Sequence, residues 1–227
     1  MSFYVCSDLH GEGKLWDKIK EFLKPTDNLI CLGDCIDRGP DGWRILKEML
    51  LDERVHLLKG NHEDMMANFF INKSQYDYSL WMYNGGEPTL RAFDKEENKK
   101  EWIKKINDLP QYMNITINGK EFKMSHAGYT PVYNPEDLIK YDDLLWDRSH
   151  FEEEWPDEKE FGNVYILHGH TPIPNLMKCN PYDFPVGVYW YNNGHKADLD
   201  QLSVISHKTI LLNLETLEEY IIDEEDE

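Results

Sequence analysis

The chain has 227 residues, of which 41% are hydrophobic and 13% aromatic, so it can bury the core of one large domain. Its formal net charge of −19 excludes wholesale binding to nucleic acid or to an anionic membrane, because both require a basic protein surface. A phosphorylated ligand is compatible with this charge, since a local group of arginines or metal ions is enough to bind it.

The cysteines and the N-terminus bear on the cellular compartment. None of the four cysteines lies in a Cys-x-x-Cys pair, and the first residues lack the pattern of a signal peptide. No run approaches the roughly 18 apolar residues that a membrane span requires. These features predict a cytoplasmic protein with reduced thiols and no membrane partner.

The first sixty residues alternate between apolar runs and helical patterns. Short apolar runs predict strands at residues 3–7, 28–32 and 55–58. Between them, apolar side chains recur at helical spacing in residues 14–23 and 41–51. This strand–helix–strand order predicts right-handed crossovers and a parallel sheet.

The middle of the chain is predicted to be helical and the last part to be strands. The predicted helices cover residues 63–72, 76–83, 88–94 and 99–107. Asn118 and Gly119 then form a strong hairpin signal between two alternating runs. The later predicted strands cover residues 164–167, 186–189, 202–205 and 210–213. A second, largely antiparallel sheet follows from this pattern, within one α/β domain at residues 1–222 and before an acidic tail at 223–227.

Groups of polar residues follow the first three predicted strands, and two later segments repeat this arrangement. Ligands bind beyond the carboxyl ends of the strands in open parallel sheets, so these groups are expected to meet at one edge. The residues concerned are Asp8, His10, Asp34, Asp37, Arg38, Asn61, His62, His126, His168 and His170.

Carboxylates, an amide oxygen and imidazoles at one place indicate metal binding. This mixed oxygen and nitrogen set suits manganese, iron or zinc. Two such ions ~3.5–4 Å apart can activate a shared water for in-line displacement. The ligand sets that the residues suggest are Asp8, His10 and a bridging Asp34 for one ion, and Asp34, Asn61, His126 and either His168 or His170 for the other. A thiol nucleophile at Cys35 is less favoured, because Asp34 beside it would raise its pKa.

Five motifs between Asp8 and Pro172 resemble one known family. In chain order they are Asp-x-His, Gly-Asp-x-x-Asp-Arg-Gly, Gly-Asn-His-Glu, His-Ala-Gly and Gly-His-Thr-Pro. This order resembles the PPP-family serine/threonine protein phosphatases, within the calcineurin-like metallophosphoesterase superfamily. The stretches WMYNGG (81–86) and LLWDR (144–148) are similar to its compact phage and bacterial branch, of the bacteriophage lambda phosphatase type.

The resemblance implies a fold, a cofactor and a role for each matching residue. The implied fold is a four-layer αββα sandwich of two mixed sheets, and the implied cofactor is two divalent ions, with manganese first and iron or zinc as alternatives. The general acid matches His62, oriented by Asp37. The implied metal ligands are Asp8, His10, Asp34, Asn61, His126 and His170, and the implied substrate-binding residues are Arg38, Asn61 and Arg148.

Two departures from the family pattern stand out. The first motif begins with Ser7 where the family usually has glycine, so the turn before Asp8 is expected to differ. Residues 190–195 contain asparagines and a longer excursion where the family often reads Asp-x-Gly.

The resulting hypothesis is a phosphomonoesterase acting on phosphorylated proteins or small phosphoesters, with serine/threonine or dual specificity. A metal-bridging hydroxide would attack phosphorus in line, and His62 would protonate the leaving alkoxide. A symmetrical dinucleoside tetraphosphate hydrolase is the alternative, since that branch shares the core motifs. A catalytically inactive phosphate-binding module is less favoured, because the ligands, the acid and the arginines are all present.

Overall fold

A computed structural model of the chain describes residues 1–129, 143–151 and 162–225, and the last two residues of the predicted acidic tail lie outside these ranges. The described strands form two sheets of five. The first sheet has the spatial order β10-β9-β1-β2-β3, in which β1, β2 and β3 are parallel and the other pairings antiparallel. Its strands are β1 (Phe3–Cys6), β2 (Asn28–Cys31), β3 (Val55–Leu57), β9 (Lys208–Asn213) and β10 (Glu219–Asp223).

The second sheet has the spatial order β4-β5-β6-β8-β7. Its strands are β4 (Tyr112–Ile117), β5 (Lys120–Ser125), β6 (Val164–His168), β7 (Tyr189–Tyr191) and β8 (Lys196–Asp198). The predicted hairpin joins β4 to β5, with positive φ at both Asn118 (51°) and Gly119 (77°), as a tight turn between antiparallel strands requires. β6 pairs in parallel with both β5 and β8, so this sheet is mixed rather than largely antiparallel.

The described helices lie mostly between and after the strands of the first sheet. The longer ones are α1 (Gly13–Phe22), α2 (Gly42–Met49), α3 (Asn61–Asn72), α4 (Gln75–Tyr83), α5 (Glu87–Phe93) and α6 (Lys99–Asn107). The shorter ones are α7 (Asp143–Trp146), α8 (Ile173–Met177), α9 (Ser203–Ser206) and a 3₁₀ turn at Ser149–Phe151. The six predicted helices are confirmed within two residues at each end. In the described part of the chain, no helix combines the length and the apolar character needed to cross a membrane.

The two sheets pack face to face, with helices on the outside. Successive side chains of a strand point to opposite faces. Val5 accordingly joins the core between the sheets, where it shares a cluster with Phe122 and Leu167. Its neighbours Tyr4 and Cys6 face the other way, into the core beneath α1 to α6. This architecture confirms the predicted α/β sandwich and places the carboxyl ends of β1, β2 and β3 side by side.

Two predicted strands near the C-terminus are wrong. Residues 186–189 are not a strand, because β7 begins only at Tyr189 and pairs with β8 across a turn at Asn192 and Asn193, whose φ angles are 48° and 56°. Residues 202–205 enter α9 instead of a strand. The N–H of Leu202 donates to Oδ1 of Asp200 (2.8 Å), and φ of Leu202 is 51°, so the chain turns there.

β8 and β10 were not among the predicted strands. β10 pairs with β9 as far as Asp223, so the first residue of the predicted acidic tail belongs to the first sheet. Lys208 forms an ion pair with Asp223 at this end of the strand pair, at 2.5 Å.

Candidate metal centre

The loops that follow β1 and β2 are hydrogen-bonded to each other. The N–H of Asp8 donates to the carbonyl of Gly33 (3.1 Å), and the N–H of His10 donates to the carbonyl of Asp34 (3.0 Å). Asp8, His10 and Asp34 have φ angles of 54°, 43° and 54°, a left-handed conformation that costs energy for these residue types. Hydrogen bonds between the loops that follow β1 and β2 therefore hold these three predicted ligands in a strained backbone conformation.

Glycine is required where the β2 loop meets the start of α3. Gly33 has φ of 104°, and a Cβ atom there would lie 2.5 Å from the nitrogen of Gly60. A Cβ atom on Gly60 would lie 2.1 Å from Oδ1 of Asp34. Both contacts are too short for any other residue, so the two glycines allow Asp34 to approach α3 directly.

Glu63 joins the loop after β2 to the start of α3 through hydrogen bonds, and this role was not predicted from the sequence. Its Oε2 accepts the N–H groups of Asp34 (2.8 Å) and Gly60 (2.9 Å), and its Oε1 accepts the N–H of Cys35 (3.0 Å). The side chain is fully buried. Its position three residues after the N-cap, Gly60, is the sequence signal that could have revealed it, because glutamate there commonly closes a capping box.

Glu63→Gln is expected to lower the free energy of unfolding by about 1–3 kcal/mol. One carboxylate oxygen would become an NH₂ group that faces backbone N–H donors, which leaves buried donors without an acceptor. Urea unfolding of the variant measures the change. Glu97→Gln, at an exposed position, serves as the control and is expected to change stability by less than about 0.5 kcal/mol. Equal stability of the two variants would contradict the role given to Glu63.

Asp34 lies at the centre of the predicted ligands. Its Oδ2 is 3.3 Å from Nε2 of His126, 3.7 Å from Nε2 of His10 and 3.8 Å from Nε2 of His62. Nε2 of His126 also lies 2.9 Å from Oδ1 of Asn61. One carboxylate therefore faces imidazoles from three different segments.

Among the described residues, a partly exposed group (Glu12, His207 and Glu224) and two buried groups of ligand atoms are each close enough to hold a cation. The two buried groups lie at the predicted site. Within each group, the atoms lie within 4.8 Å of one another. One buried group contains His10, Asp34 and His62, and the other contains Asp34, His126 and His170. Asp34 belongs to both buried groups. Asp8, the predicted third ligand of the first set, places its Oδ1 3.9 Å from Nε2 of His10.

The hydrogen bonds around these residues fit divalent cations. Nδ1 of His10 bonds to the carbonyl of Ile36 and Nδ1 of His126 to the carbonyl of Leu32, both at 3.0 Å. Each ring must carry its proton on Nδ1 to make this bond, which leaves the lone pair of Nε2 free for a metal. Oδ1 of Asp8 and Nε2 of His170 are buried without a hydrogen-bond partner among the described residues. Two cations, one at each proposed ligand set, would satisfy these two atoms.

The charge of Asp34 also suits a bridging ligand. Burial alone would raise the pKa of this carboxyl. The positive charges of the protonated His126 and His62 rings outweigh burial and hold the pKa of Asp34 well below its usual value. A cation bound at Nε2 of His126 would replace the proton there and its positive charge. Asp34 is therefore ionised at neutral pH, with both oxygens available as acceptors.

His62 is held in a hydrogen-bonded group next to these ligands. Its Nδ1 lies 2.7 Å from Oδ2 of Asp37, and the same oxygen accepts the indole N–H of Trp81 at 2.8 Å. Nη2 of Arg38 lies 3.3 Å from Nε2 of His62. Trp81 therefore orients Asp37, a role that its place in the WMYNGG stretch did not indicate.

The surroundings of His62 favour its charged form. Burial disfavours the imidazolium, but the negative charge of Asp34 and the hydrogen bond to Asp37 outweigh burial, so the pKa of His62 is raised. A raised pKa keeps the imidazole protonated to higher pH. His62 can therefore carry a proton at neutral pH in a buried position.

Asp37→Asn is expected to lower kcat without loss of metal. Without the Asp37 charge the pKa of His62 falls, so the alkaline limb of the kcat–pH profile moves to lower pH and the loss is greatest above neutral pH. Asparagine tolerates the left-handed backbone at this position, where φ is 70°. Kinetics across pH and elemental analysis measure the two effects. An unshifted alkaline limb would contradict the coupling of Asp37 to His62.

His168 and His170, the two alternatives for the second ligand set, lie in different surroundings. His170 lies with Asp34 and His126, whereas His168 points elsewhere. Nε2 of His168 bonds to the hydroxyl of Tyr191 (2.7 Å), and its Nδ1 lies 3.4 Å from Oδ2 of Asp198.

Arg148, the second predicted phosphate-binding arginine, lies at the rim of the ligand group. It is exposed and donates to the carbonyl of His170 and to Oγ1 of Thr171, both at 3.2 Å.

Cys35 is not suited to act as a nucleophile. It is fully buried and its Sγ contacts Oε1 of Glu63 at 3.3 Å. Burial and the Glu63 carboxylate raise the pKa of this thiol well above its usual value, which argues against a thiolate nucleophile.

Comparisons with known proteins identify the family of the chain. The family model described as calcineurin-like phosphoesterase matches residues 1–206. The chain is 28% identical over 183 residues to serine/threonine-protein phosphatase 2 of Escherichia coli (strain K12), a match that covers 77% of this chain and 81% of that protein. It is 22% identical over 202 residues to the asymmetrical bis(5'-nucleosyl)-tetraphosphatase PrpE of Bacillus mycoides (strain KBAB4), with coverage of 76% and 80%.

A solved structure supports the fold. The protein serine/threonine phosphatase from Saccharomyces cerevisiae with similarity to human phosphatase PP5 superposes with a TM-score of 0.60 at 16% identity, covering 98% of this chain and 80% of that chain. This similarity supports the sandwich architecture alone. The family model and the bacterial relatives carry the assignment: the chain belongs to the calcineurin-like phosphoesterase family and is a metallophosphatase related to the bacterial PPP-type enzymes.

Proposed function

We propose that the chain is a protein phosphatase that hydrolyses phosphate monoesters at a centre of two divalent cations. The observation that carries this proposal is the buried His62–Asp37 pair directly beside Asp34, the residue common to both ligand groups. A monoester needs positive charge around its phosphate and a proton for its leaving group, and this arrangement supplies both. We propose Asp8, His10 and Asp34 as ligands of one ion and Asp34, Asn61, His126 and His170 as ligands of the other.

The proposed roles divide between binding and proton transfer. Bound cations would supply Lewis acidity and an activated water. Arg38 and Arg148 bind the phosphate, because a planar guanidinium pairs with two phosphate oxygens at once. Asn61, whose Oδ1 lies 2.9 Å from Nε2 of His126, is assigned as a further substrate contact. The substrate is a phosphorylated protein, and small phosphoesters share the same phosphate contacts.

Proton transfer is assigned to Nε2 of His62. The bond to Asp37 occupies Nδ1, so the second proton of the charged ring sits on Nε2, which faces the Asp34 side of the site. There it can pass to the leaving alkoxide oxygen. In the structure Nη2 of Arg38 lies 3.3 Å from the same nitrogen. Arg38 must turn toward the phosphate before the charged ring can donate, which links substrate binding to proton transfer.

The nearest alternative is the hydrolysis of dinucleoside tetraphosphates. It is supported by the named activities of two relatives: the asymmetrical enzyme of Bacillus mycoides and the symmetrical bis(5'-nucleosyl)-tetraphosphatase of Buchnera aphidicola subsp. Schizaphis graminum (strain Sg), which is 29% identical over 149 residues. The sequence motifs predict the symmetrical enzyme as the alternative. The Escherichia coli relative and the WMYNGG and LLWDR stretches favour the phosphatase. An inactive phosphate-binding module is disfavoured, because the chain has all of the proposed ligands, the proposed acid and both arginines.

A side-by-side assay tests the proposal. The manganese-loaded protein is given a phosphoserine peptide, diadenosine tetraphosphate and p-nitrophenyl phosphate. The proposal expects phosphate release from the peptide with higher kcat/KM than any cleavage of the dinucleotide. Preferred cleavage to two ADP would establish the symmetrical hydrolase, and to ATP and AMP the asymmetrical one. If none of the three substrates is hydrolysed, p-nitrophenyl phosphate included, the chain is an inactive module.

The remaining assignments complete the proposal. We place the whole activity in one domain that extends to Asp223, where β10 ends, with residues 224–227 outside it. We assign manganese as the working metal, with iron or zinc as substitutes, and the cytoplasm as the compartment. Nucleic acid and membranes are not partners, in keeping with the net charge of −19.

A further inference from the structure

A groove lies at the far end of α3 from the candidate metal centre. It encloses about 430 Å³ between the last turn of α3 and the outer face of α6. Its floor is apolar and consists of Phe70, Ile71 and Ile103. Ile71 is 52% exposed, so part of the apolar lining is accessible to another molecule. A cavity of this size and lining can accept one or two apolar side chains from another molecule.

Lysines surround this apolar floor. Lys73, Lys99, Lys100 and Lys104 all line the groove. The chain as a whole has 43 acidic residues against 24 lysines and arginines, whereas the lining of this groove has four lysines and no acidic residue. A protein this acidic has little electrostatic reason to gather lysines unless they face something negative.

The positive charge of the groove is only partly balanced. Lys99 pairs with Asp94 at 2.8 Å, and Lys104 pairs with Asp108. Lys73 and Lys100 are exposed and form no ion pair within the described residues. Two uncompensated ammonium groups therefore stand beside an exposed apolar side chain.

The groove is remote from the proposed chemistry. α3 runs from Asn61, a proposed metal ligand, to Asn72 at the edge of the groove. At 1.5 Å per residue the two ends are ~16 Å apart. A molecule bound in the groove would leave the candidate metal centre open. The groove is therefore a separate surface from the phosphate site.

We propose that this groove, lined by α3 and α6, docks an acidic segment of a partner protein that carries bulky apolar side chains. The apolar side chains enter between Phe70, Ile71 and Ile103, and the carboxylates on either side meet Lys73 and Lys100. Charge complementarity selects this occupant over a basic or purely apolar one. The proposal does not depend on which phosphoester the centre hydrolyses.

Fluorescence anisotropy with labelled peptides tests this docking. The probe is Glu-Asp-Leu-Phe-Glu-Asp-Leu. One matched control replaces each acidic residue by lysine, and another replaces each apolar residue by glycine. Saturable binding of the probe alone is expected, weakened as NaCl approaches ~1 M, where the Debye length falls to about 3 Å. Failure of the probe to bind, or equal binding of either control, would overturn the proposal.

Variants place the binding in the groove. Lys100→Glu, in the first turn of α6, and Ile71→Ser are each expected to weaken probe binding about fivefold or more, because a charge reversal or a lost apolar contact costs roughly 1 kcal/mol. The control is Lys24→Glu, which changes an exposed lysine that does not line the groove. This variant should bind the probe as tightly as the unaltered chain does. All three variants should hydrolyse p-nitrophenyl phosphate as the unaltered chain does.

Two other occupants give different results, and each would overturn the proposal. If the groove binds a second copy of the chain, Lys100→Glu abolishes a concentration-dependent dimer and the probe does not bind. If it binds a membrane, phosphatidylserine vesicles bind the chain in a Lys100-dependent manner and the probe again fails. Equal effects of Lys24→Glu and Lys100→Glu would show that the binding follows overall charge rather than the groove.

Discussion

Replacing His62 by asparagine is expected to lower kcat on a phosphoserine peptide by about 10²–10⁴-fold, the range that a positioned general acid contributes. The loss should be smaller on p-nitrophenyl phosphate, because nitrophenolate is a weak base and leaves with little need for a proton. Asparagine keeps a hydrogen-bond donor toward Asp37, so the site should keep its shape. Steady-state kinetics on both substrates measure the difference.

Metal content decides between two roles for His62. Its Nε2 lies close enough to His10 and Asp34 to act as a ligand, so the His62→Asn variant must be analysed for bound manganese. Retention of two ions with a leaving-group-dependent loss of rate is the expected result. Loss of an ion would make His62 a ligand instead of the acid. Glu97→Gln, at an exposed position outside the site, should change neither quantity.

Replacing Asp34 by asparagine is expected to remove at least one of two bound ions and to lower activity by more than about 100-fold. Loss of a direct ligand should exceed the ~10–100-fold cost of losing a residue that only orients a ligand. Asparagine suits the left-handed backbone at this position, where φ is 54°. The variant should therefore fold, and its defect should lie in metal binding.

The comparison with Asp37→Asn gives this experiment its control. Both substitutions replace a buried aspartate with positive φ by the amide of the same shape. The first should lose metal, whereas the second should keep both ions and lose rate through His62. Elemental analysis of the two purified variants measures the difference. Full retention of two ions in Asp34→Asn would contradict its place as the shared ligand.

The motif residues could be predicted from the sequence because each follows a strand directly. Where β1, β2 and β3 lie side by side in parallel, the residues just after them must meet, so Asp8, Asp34 and Asn61 could be placed together from local patterns. The hairpin at Asn118 and Gly119 was equally local. The fold class followed from the same strand and helix order.

The parts that escaped prediction depend on contacts between distant segments. Glu63 acts on backbone groups 29 residues earlier in the chain, and Trp81 reaches Asp37 across 44 residues. Neither contact leaves a periodic signal. The predictions for the late strands were wrong for a related reason. β7 and β8 have three residues each, and the turn at Leu202 follows from a side-chain bond to Asp200 rather than from apolar spacing.

A manganese titration of the chelator-stripped protein tests the central claim most directly. The ion bound per chain is measured by elemental analysis, and p-nitrophenyl phosphate hydrolysis is followed at each step. The account expects no hydrolysis in the stripped protein and two ions per chain at saturation, with activity rising as the second ion binds. Full activity in the stripped protein, or saturation at a single ion, would contradict a centre of two cations that share Asp34.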